Sequence, residues 1–434
     1  MQKVRNRSAH KDQRSHAWEG TIHFLRALGP GLITGAADDD PSGISTYSIA
    51  GASYGYATLW TALLTFPLMA VVQLMCARLG MVTGRGLGSV IRTRYAGWVS
   101  WMTCCVVILA NAFNIGADLG GMADCMQMMT GSPASLWTPM FAILIVVLLF
   151  WGSYRVMAYI FKWLTTALFA YFITAFLAHP DWASVLKATF IPHVEWSRTY
   201  LAVLVGILGT TISPYLFFWQ ASQEVEEDRD HGKTTVAARR GATDEELRAA
   251  RTDVLTGMLL SNLVMFFLIL TTAATLHSHG ITHIETAKQA AEALRPLAGR
   301  AAYLLFTVGL VGTGMLAIPV LAGSCAYAVA DAARWRAASL GAKPREAPRF
   351  YAVIAASIFV GIGFDLAGMN AIKMLFWSAI LNGLLAPPLV AIVVLLTSDP
   401  KVMGTKVNSH TMAVVGWSCA FIMAGAVLGL LLTL

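Results

Sequence analysis

Long stretches without a charged residue alternate with short charged tracts along the whole chain. Residues 44–77, 201–223, 254–284, 301–330, 374–398 and 407–434 contain no Asp, Glu, Lys or Arg, and 97–151 contain only Asp118 and Asp124. A helix needs about 20 predominantly apolar residues to cross a bilayer. Splitting the apolar stretches at Gly, Pro and polar tracts predicts eleven membrane-spanning helices. They cover roughly 24–52, 57–78, 97–124, 136–152, 155–178, 201–222, 252–277, 301–329, 348–364, 371–397 and 410–433.

Composition supports this pattern. Of 434 residues, 56% are hydrophobic and 13% charged, about half the charged share of an ordinary soluble domain. Disorder, coiled coil and most soluble enzyme folds are excluded. The net charge of +7 does not point to nucleic acid, because the basic residues do not cluster on one soluble face. They mark topology instead. The segments 1–23, 78–96, 152–162, 221–251, 331–349 and 398–409, which alternation places on one side, hold 24 of the 31 lysines and arginines. The positive-inside rule makes that side cytoplasmic. The expectation is an integral protein of the plasma (inner) membrane, embedded in the lipid bilayer, with its N-terminus inside and its C-terminus outside. Residues 1–23 read as a polar, basic tail and not as a signal peptide. Trp60, Trp98, Trp196 and Tyr200, near span ends, read as interface anchors. The six cysteines lie mostly in apolar stretches without a CxxC, as buried small side chains do. No catalytic or phosphate-loop constellation appears, so neither an enzyme nor a cofactor is expected.

Two spans are interrupted. Between the apolar segments 27–37 and 44–77 stands Asp38-Asp39-Asp40-Pro41-Ser42-Gly43. Carboxylates at membrane depth are costly against lipid, and Pro removes a backbone donor. The expected solution is a helix that stops near Ala37, unwinds through the Asp-Pro-Ser-Gly tract and restarts near Ile44. Irregular backbone of this kind survives where it lines a protein cavity. The competing reading makes the aspartates an aqueous N-cap of a span starting at Ile44. Span six carries Gly209-Thr210-Thr211-Ile212-Ser213-Pro214-Tyr215 in mid-span. Spans one and six lie five apart, an odd number, so a second five-span unit is inserted upside down. Paired broken helices of this kind point to an inverted-repeat transporter with a midplane site. The half-helix ends present free carbonyls and partial negative charge. With the Asp40 carboxylate they suit a cation.

Elsewhere, the acidic tract at 224–230 reads as a solvated loop. Thr243-Asp244-Glu245-Glu246 has capping-box spacing and predicts a short surface helix leading into span seven. His277, His279 and His283 read as a polar loop, with a weak metal-capture site as the alternative. Asn111 and Asn114 read as interhelical hydrogen bonding or as part of a substrate path. Gly309-Leu310-Val311-Gly312-Thr313-Gly314 reads as close helix packing.

These residues resemble the NRAMP family of divalent-metal transporters over about residues 24–400. The similarity rests on GPGLITGAADDDPSG at 29–43, on Gln73-Leu74-Met75-Cys76-Ala77-Arg78-Leu79-Gly80-Met81-Val82-Thr83-Gly84, on Gly209–Tyr215 in place of an Ala-x-x-Met-Pro-His segment, and on Asp118-Leu119. The resemblance implies an all-α membrane protein with a LeuT-type inverted repeat and broken helices one and six. It implies a transport core over 24–400, of two five-helix repeats (24–178 and 201–397), followed by a linker and eleventh helix over 401–434. It implies secondary transport of a divalent metal ion. By this resemblance the metal-site positions are Ala37, Asp40, Gly43, Thr210 and Ser213, and auxiliary or coupling roles fall to Asp38, Asp39, Asp118 and Tyr215.

This chain departs from the family pattern at several of these positions. Where the family has a metal-binding Asn stands Gly43, and where it has a thioether Met stands Ser213. Loss of the soft sulfur ligand favours hard ions, and a hydrated ion such as Mg²⁺ needs few protein ligands. The expected substrate is Mg²⁺ first and Mn²⁺ next. The family's His after the span-six Pro is Tyr215, and an acidic position after Asp118-Leu119 is Gly121. Span nine, 348–364, has no charge in its interior. Weak or absent proton coupling follows. A second reading stays open, in which a transporter of the same architecture has lost the metal site and carries a small organic cation or amino acid. The chain is expected to act as a monomer.

Overall fold

The computed structural model describes residues 29–152, 165–335, 339–368 and 370–433. These residues form α1 (Pro30–Asp38), α2 (Pro41–Tyr54), α3 (Trp60–Thr83), α4 (Leu87–Arg94), α5 (Gly97–Thr130), α6 (Ala134–Trp151), α7 (Ala170–Leu177), α8 (Trp182–Phe190), α9 (Arg198–Thr211), α10 (Pro214–Asp230), α11 (Asp244–Thr275), α12 (Ala302–Ala333), α13 (Pro348–Asp365), α14 (Ala371–Ser398) and α15 (His410–Leu432), with short turns between them. Among the described residues nine helices are long and apolar enough to cross a bilayer. The two further expected spans are the split pair α1–α2 and span five, of which 155–164 lie outside the described residues. The fold is an all-α membrane bundle, as expected.

Both breaks are shorter than expected. The first covers only Asp39 and Asp40, and the second only Ile212 and Ser213. In each, helix resumes on the proline, Pro41 or Pro214. Proline is well tolerated at the first helical position, where its missing N–H has no intrahelical role. Asp40 then serves as N-cap, its carboxylate accepting from Gly43 N–H. The restart near Ile44 is thus corrected to Pro41. The aqueous N-cap reading is half right: Asp40 caps α2, but it is 1% exposed inside the protein.

The helices around the breaks approach closely. α11 packs on α1, α2 and α3, while α5 packs on α12, α13 and α14. Gly31 and Gly35 of α1 lie against the backbone of α11, and a Cβ added at Gly31 would sit 2.7 Å from Val254 N. Side chains could not fit there. α11 also caps α1. The Asp253 carboxylate accepts N–H bonds from Gly29 (2.9 Å), Gly31 (2.6 Å) and Leu32 (3.2 Å). A helix start leaves four N–H groups without partners; Pro30 has none to offer, so one side chain meets all three that remain, and its charge complements the positive helix end. Gly314, in the expected packing run, faces Pro41 at 3.3 Å from a would-be Cβ.

The basic loops share one face. Arg94 pairs with Asp399 at 2.5 Å, Asp244 pairs with Lys406, and Arg78 donates to the carbonyls of Lys406 and Val407. On the opposite face Trp60 donates to the His193 carbonyl and Asn370 to that of Glu285. Three of the basic segments, 78–96, 221–251 and 398–409, are thus brought together. Three local readings change. The acidic tract 224–230 is the charged end of α10, held in helix by Gln220–Glu224 and Glu226–Arg229 contacts. The capping box at Thr243 and Glu246 forms, but its helix runs unbroken through span seven. Tyr200 is fully buried, its hydroxyl on the His193 carbonyl, whereas Trp98 and Trp196 stay exposed.

Replacing Asp253 with Ala should leave three N–H groups without an acceptor. The expected loss is about 1–2 kcal/mol, seen as a lower melting temperature of the purified protein, with Asp253→Asn closer to wild type. Gly257→Leu should be worse than either, because its side chain would meet the Gly31 backbone.

Candidate functional site

The two breaks face each other. A Cβ added at Gly43 would sit 3.0 Å from Thr210 Oγ1 and 3.5 Å from the Asp38 carbonyl oxygen. Glycine at 43 is therefore what lets α2 and α9 close to contact. Ala37, Asp40, Gly43, Thr210 and Ser213 are all buried and converge on this crossing. Asp38, Asp39, Asp118 and Tyr215 are buried too.

The carboxylates are held in distinct ways. Asp40 Oδ1 accepts from Ser42 Oγ (2.6 Å) and Gly43 N–H (2.8 Å), and its Oδ2 accepts from Asn114 Nδ2 at 3.0 Å. Ser261 of α11 donates toward Asp38 Oδ2 (2.6 Å) and Asp39 Oδ1 (3.2 Å). Asp38 Oδ1 and both oxygens of Asp118 have no hydrogen-bond partner among the described residues. None of the four carboxylates forms an ion pair there. Unpaired charge inside a membrane protein is expensive, roughly 2.5–3.5 kcal/mol per Asp even on insertion scales. Such clusters persist where positive charge arrives to offset them.

The remaining oxygens are engaged within the protein. Tyr215 Oη donates to the Ala37 carbonyl at 3.0 Å. Ser213 Oγ donates backwards to the carbonyls of Gly209 and Thr210, both at 2.9 Å. Thus the carbonyls of Ala37 and Thr210, two of the positions assigned to the metal site from sequence, accept from the hydroxyls of Tyr215 and Ser213. Thr210 Oγ1, facing Gly43, has no partner among the described residues.

Two contributors lie outside the site positions assigned from sequence, although Asn114 reads there as a partner in interhelical bonding or a substrate path. Asn114 turns out to hold Asp40 directly, one helical turn before Asp118 on the same face of α5, whereas Asn111 makes an interhelical bond to the Leu321 carbonyl. The i, i+4 spacing of Asn114 and Asp118 was the available signal. Ser261 gave none, being one hydroxyl in a long apolar helix. Among the described residues no group of three or more His, Cys, Asp or Glu is placed to hold a metal ion by itself. His277 instead bonds the Ala52 carbonyl and His279 that of Thr275, so the alternative reading of the histidines as a capture site is not supported.

Asn114→Ala should leave Asp40 Oδ2 buried without its donor. The expected cost is about 1–3 kcal/mol, read as a lower melting temperature, whereas Asn111→Ala, away from the crossing, should leave divalent-ion protection against heat unchanged.

Comparison with known proteins gives the family and the fold. The chain matches the Nramp family, described as natural resistance-associated macrophage protein-like, over residues 31–433. It is 29% identical over 417 residues to the divalent metal cation transporter MntH of Deinococcus radiodurans, covering 93% of this chain and 88% of that protein. In fold it is similar to the manganese transporter of Eremococcus coleocola, crystallised with an aromatic bis-isothiourea compound (TM-score 0.73, 20% identity, 93% and 85% of the chains). The nucleobase-cation-symport-1 transporter Mhp1 in a closed conformation is a more distant likeness in fold (TM-score 0.56, 15% identity, 93% and 92% covered). The match spans nearly the whole chain, both breaks included, and the protein belongs to the Nramp family of membrane proteins.

Proposed function

We propose that the chain is a secondary transporter that moves a hard divalent cation through the crossing of α1–α2 with α9–α10. The observation that carries this reading is the group of four buried carboxylates without a counter-charge among the described residues. The family assignment and the printed function of the Deinococcus relative support a divalent metal over an organic cation.

The ion would meet oxygen only. Asp40 supplies the charge, and the Ala37 and Thr210 carbonyls, the Ser213 hydroxyl and the backbone at Gly43 supply dipoles. Such a set suits Mg²⁺ or Mn²⁺ more than softer metals. With a single carboxylate in direct reach, the ion keeps several waters, which Mg²⁺ gives up reluctantly. Loading requires the Tyr215 and Ser213 hydroxyls to leave the carbonyls they cap. Both hydroxyls can rotate to present lone pairs to an ion or its water, so these bonds act as stand-ins for the cargo. Asp38, Asp39 and Asp118 add negative potential without direct contact.

Proton coupling is weak or absent in this reading. The position after Pro214 is a phenol bonded to a carbonyl, and a tyrosine's ordinary pKa near 10 makes it a poor relay at neutral pH. Gly121 offers no carboxylate. The protein is placed in the plasma (inner) membrane with the basic-loop face in the cytoplasm and works as a monomer. Repeats 24–178 and 201–397 form the transport core, with 1–23 as a cytoplasmic tail and 401–434 as linker and last span.

In liposomes, wild type should take up Mg²⁺ and Mn²⁺, and Asp40→Ala should fall to the empty-liposome rate. Strong selection of Cd²⁺ or Fe²⁺ over Mg²⁺ would refute the hard-ion assignment. Uptake should proceed without acidifying the lumen. Metal-dependent acidification that vanishes in Asp118→Asn would refute the uncoupled reading.

A further inference from the structure

On the basic-loop face lies a cavity of about 510 Å³, separate from the helix crossing. Its walls come from residues 84–93, from the charged end of α10, from residues 234–239 and from the end of α12. Five arginines line it: Arg85, Arg92, Arg229, Arg239 and Arg334. The carboxylates in its wall are Glu226 and Asp331, two against the five arginines. Glu226 accepts from Arg229 (2.8 Å), Ser339 (2.6 Å) and Tyr327 (3.3 Å). Asp331 faces the backbone N–H groups of Ser89 and Gly88 at the start of α4 and the charges of Arg229 and Arg85.

With Arg229 paired to Glu226, the wall still carries more positive than negative charge. Arg92 Nε and Nη1 are shielded from solvent and have no acceptor among the described residues. Arg239 is 4% exposed and donates to the carbonyls of Gly84, Lys233 and Thr234, not to a carboxylate. Burial, and then the Arg229 charge, hold its pKa below the usual arginine range. Arg334 sits in the left-handed region at φ 58°, an uncommon conformation for a residue with a side chain. Guanidinium forks match the paired oxygens of phosphate, and the cavity volume falls within the span of small-molecule sites.

We propose that this cavity binds a phosphate-bearing anion, with Arg92 and Arg334 as its direct ligands and Arg239 as a fixed positive wall. The anion joins α4 and the end of α12 through their arginines, against the wall that the end of α10 supplies. Since α10 is one half of the second broken helix, occupancy holds that half in place and slows transport. This regulatory consequence rests on the transporter reading; the binding does not.

Binding is tested on the metal-free, full-length protein in detergent, by calorimetry with inorganic pyrophosphate and with ATP. Wild type should bind saturably. The Arg92→Ala, Arg334→Ala double variant should bind at least about tenfold more weakly, and Arg92→Lys should fall between. Both variants should keep the ligand-free melting temperature and the divalent-ion protection of wild type, which separates this outcome from failure of the transport site. A second arm compares nanodiscs of phosphatidylcholine with and without phosphatidylglycerol. Stabilisation of wild type alone by phosphatidylglycerol, displaced by pyrophosphate, would assign the cavity to a lipid headgroup. A response to pyrophosphate or ATP alone would assign it to a soluble anion. No binding in either arm, or equal binding by the double variant, overturns the proposal.

Discussion

Four carboxylates buried at a break in two helices are the constraint around which the rest of the molecule is arranged. Asp38, Asp39, Asp40 and Asp118 are sealed from solvent, and only Asp40 has its oxygens fully engaged by protein donors. Such a cluster opposes folding on its own. The surrounding helices compensate by rigidity. Glycine contacts draw α1 onto α11, Asp253 fastens the start of α1, and Ser261 reaches back to two of the aspartates. Their combined effect is to hold negative charge where a cation can offset it.

The two breaks use the same backbone device with different side chains. A capping residue precedes a proline in each, Asp40-Pro41 and Ser213-Pro214, so the chain leaves and re-enters helix within two residues. At the first break the side chain points forward and caps the new helix. At the second it points backward and covers the carbonyls just freed. Charge is thus concentrated on one side of the crossing and neutral oxygen on the other. A hydroxyl at 213 in place of a thioether, and glycine at 43, leave a set of hard donors. That combination is the physical basis for the proposed preference for a hydrated, hard ion.

Much of this was legible in the sequence because membranes impose few solutions. Charge-free stretches marked the helices, and the asymmetry of Lys and Arg sorted the loops onto the faces that Arg94–Asp399 and Asp244–Lys406 now tie together. The breaks were visible as prolines beside polar residues at membrane depth. Their lengths were not, since Pro at a first helical position restarts a helix as readily as it ends one. The end of α10 was misread as loop because local charge outweighed the i, i+4 pairing that keeps it helical. Asn114 and Ser261 were missed as partners of the aspartates for a different reason. Their roles depend on which helix faces which, and tertiary contact of that kind leaves little periodic trace.

The central claim is that one cation sits between Asp40 and the Gly43–Thr210 contact. A diffraction map of crystals soaked in Mn²⁺, recorded at an energy where manganese scatters anomalously, tests it most directly. A single anomalous peak within coordination distance of the Asp40 carboxylate, reduced by competing Mg²⁺ and absent from Asp40→Ala crystals, is the predicted result. A peak elsewhere, or one that survives loss of Asp40, would contradict it.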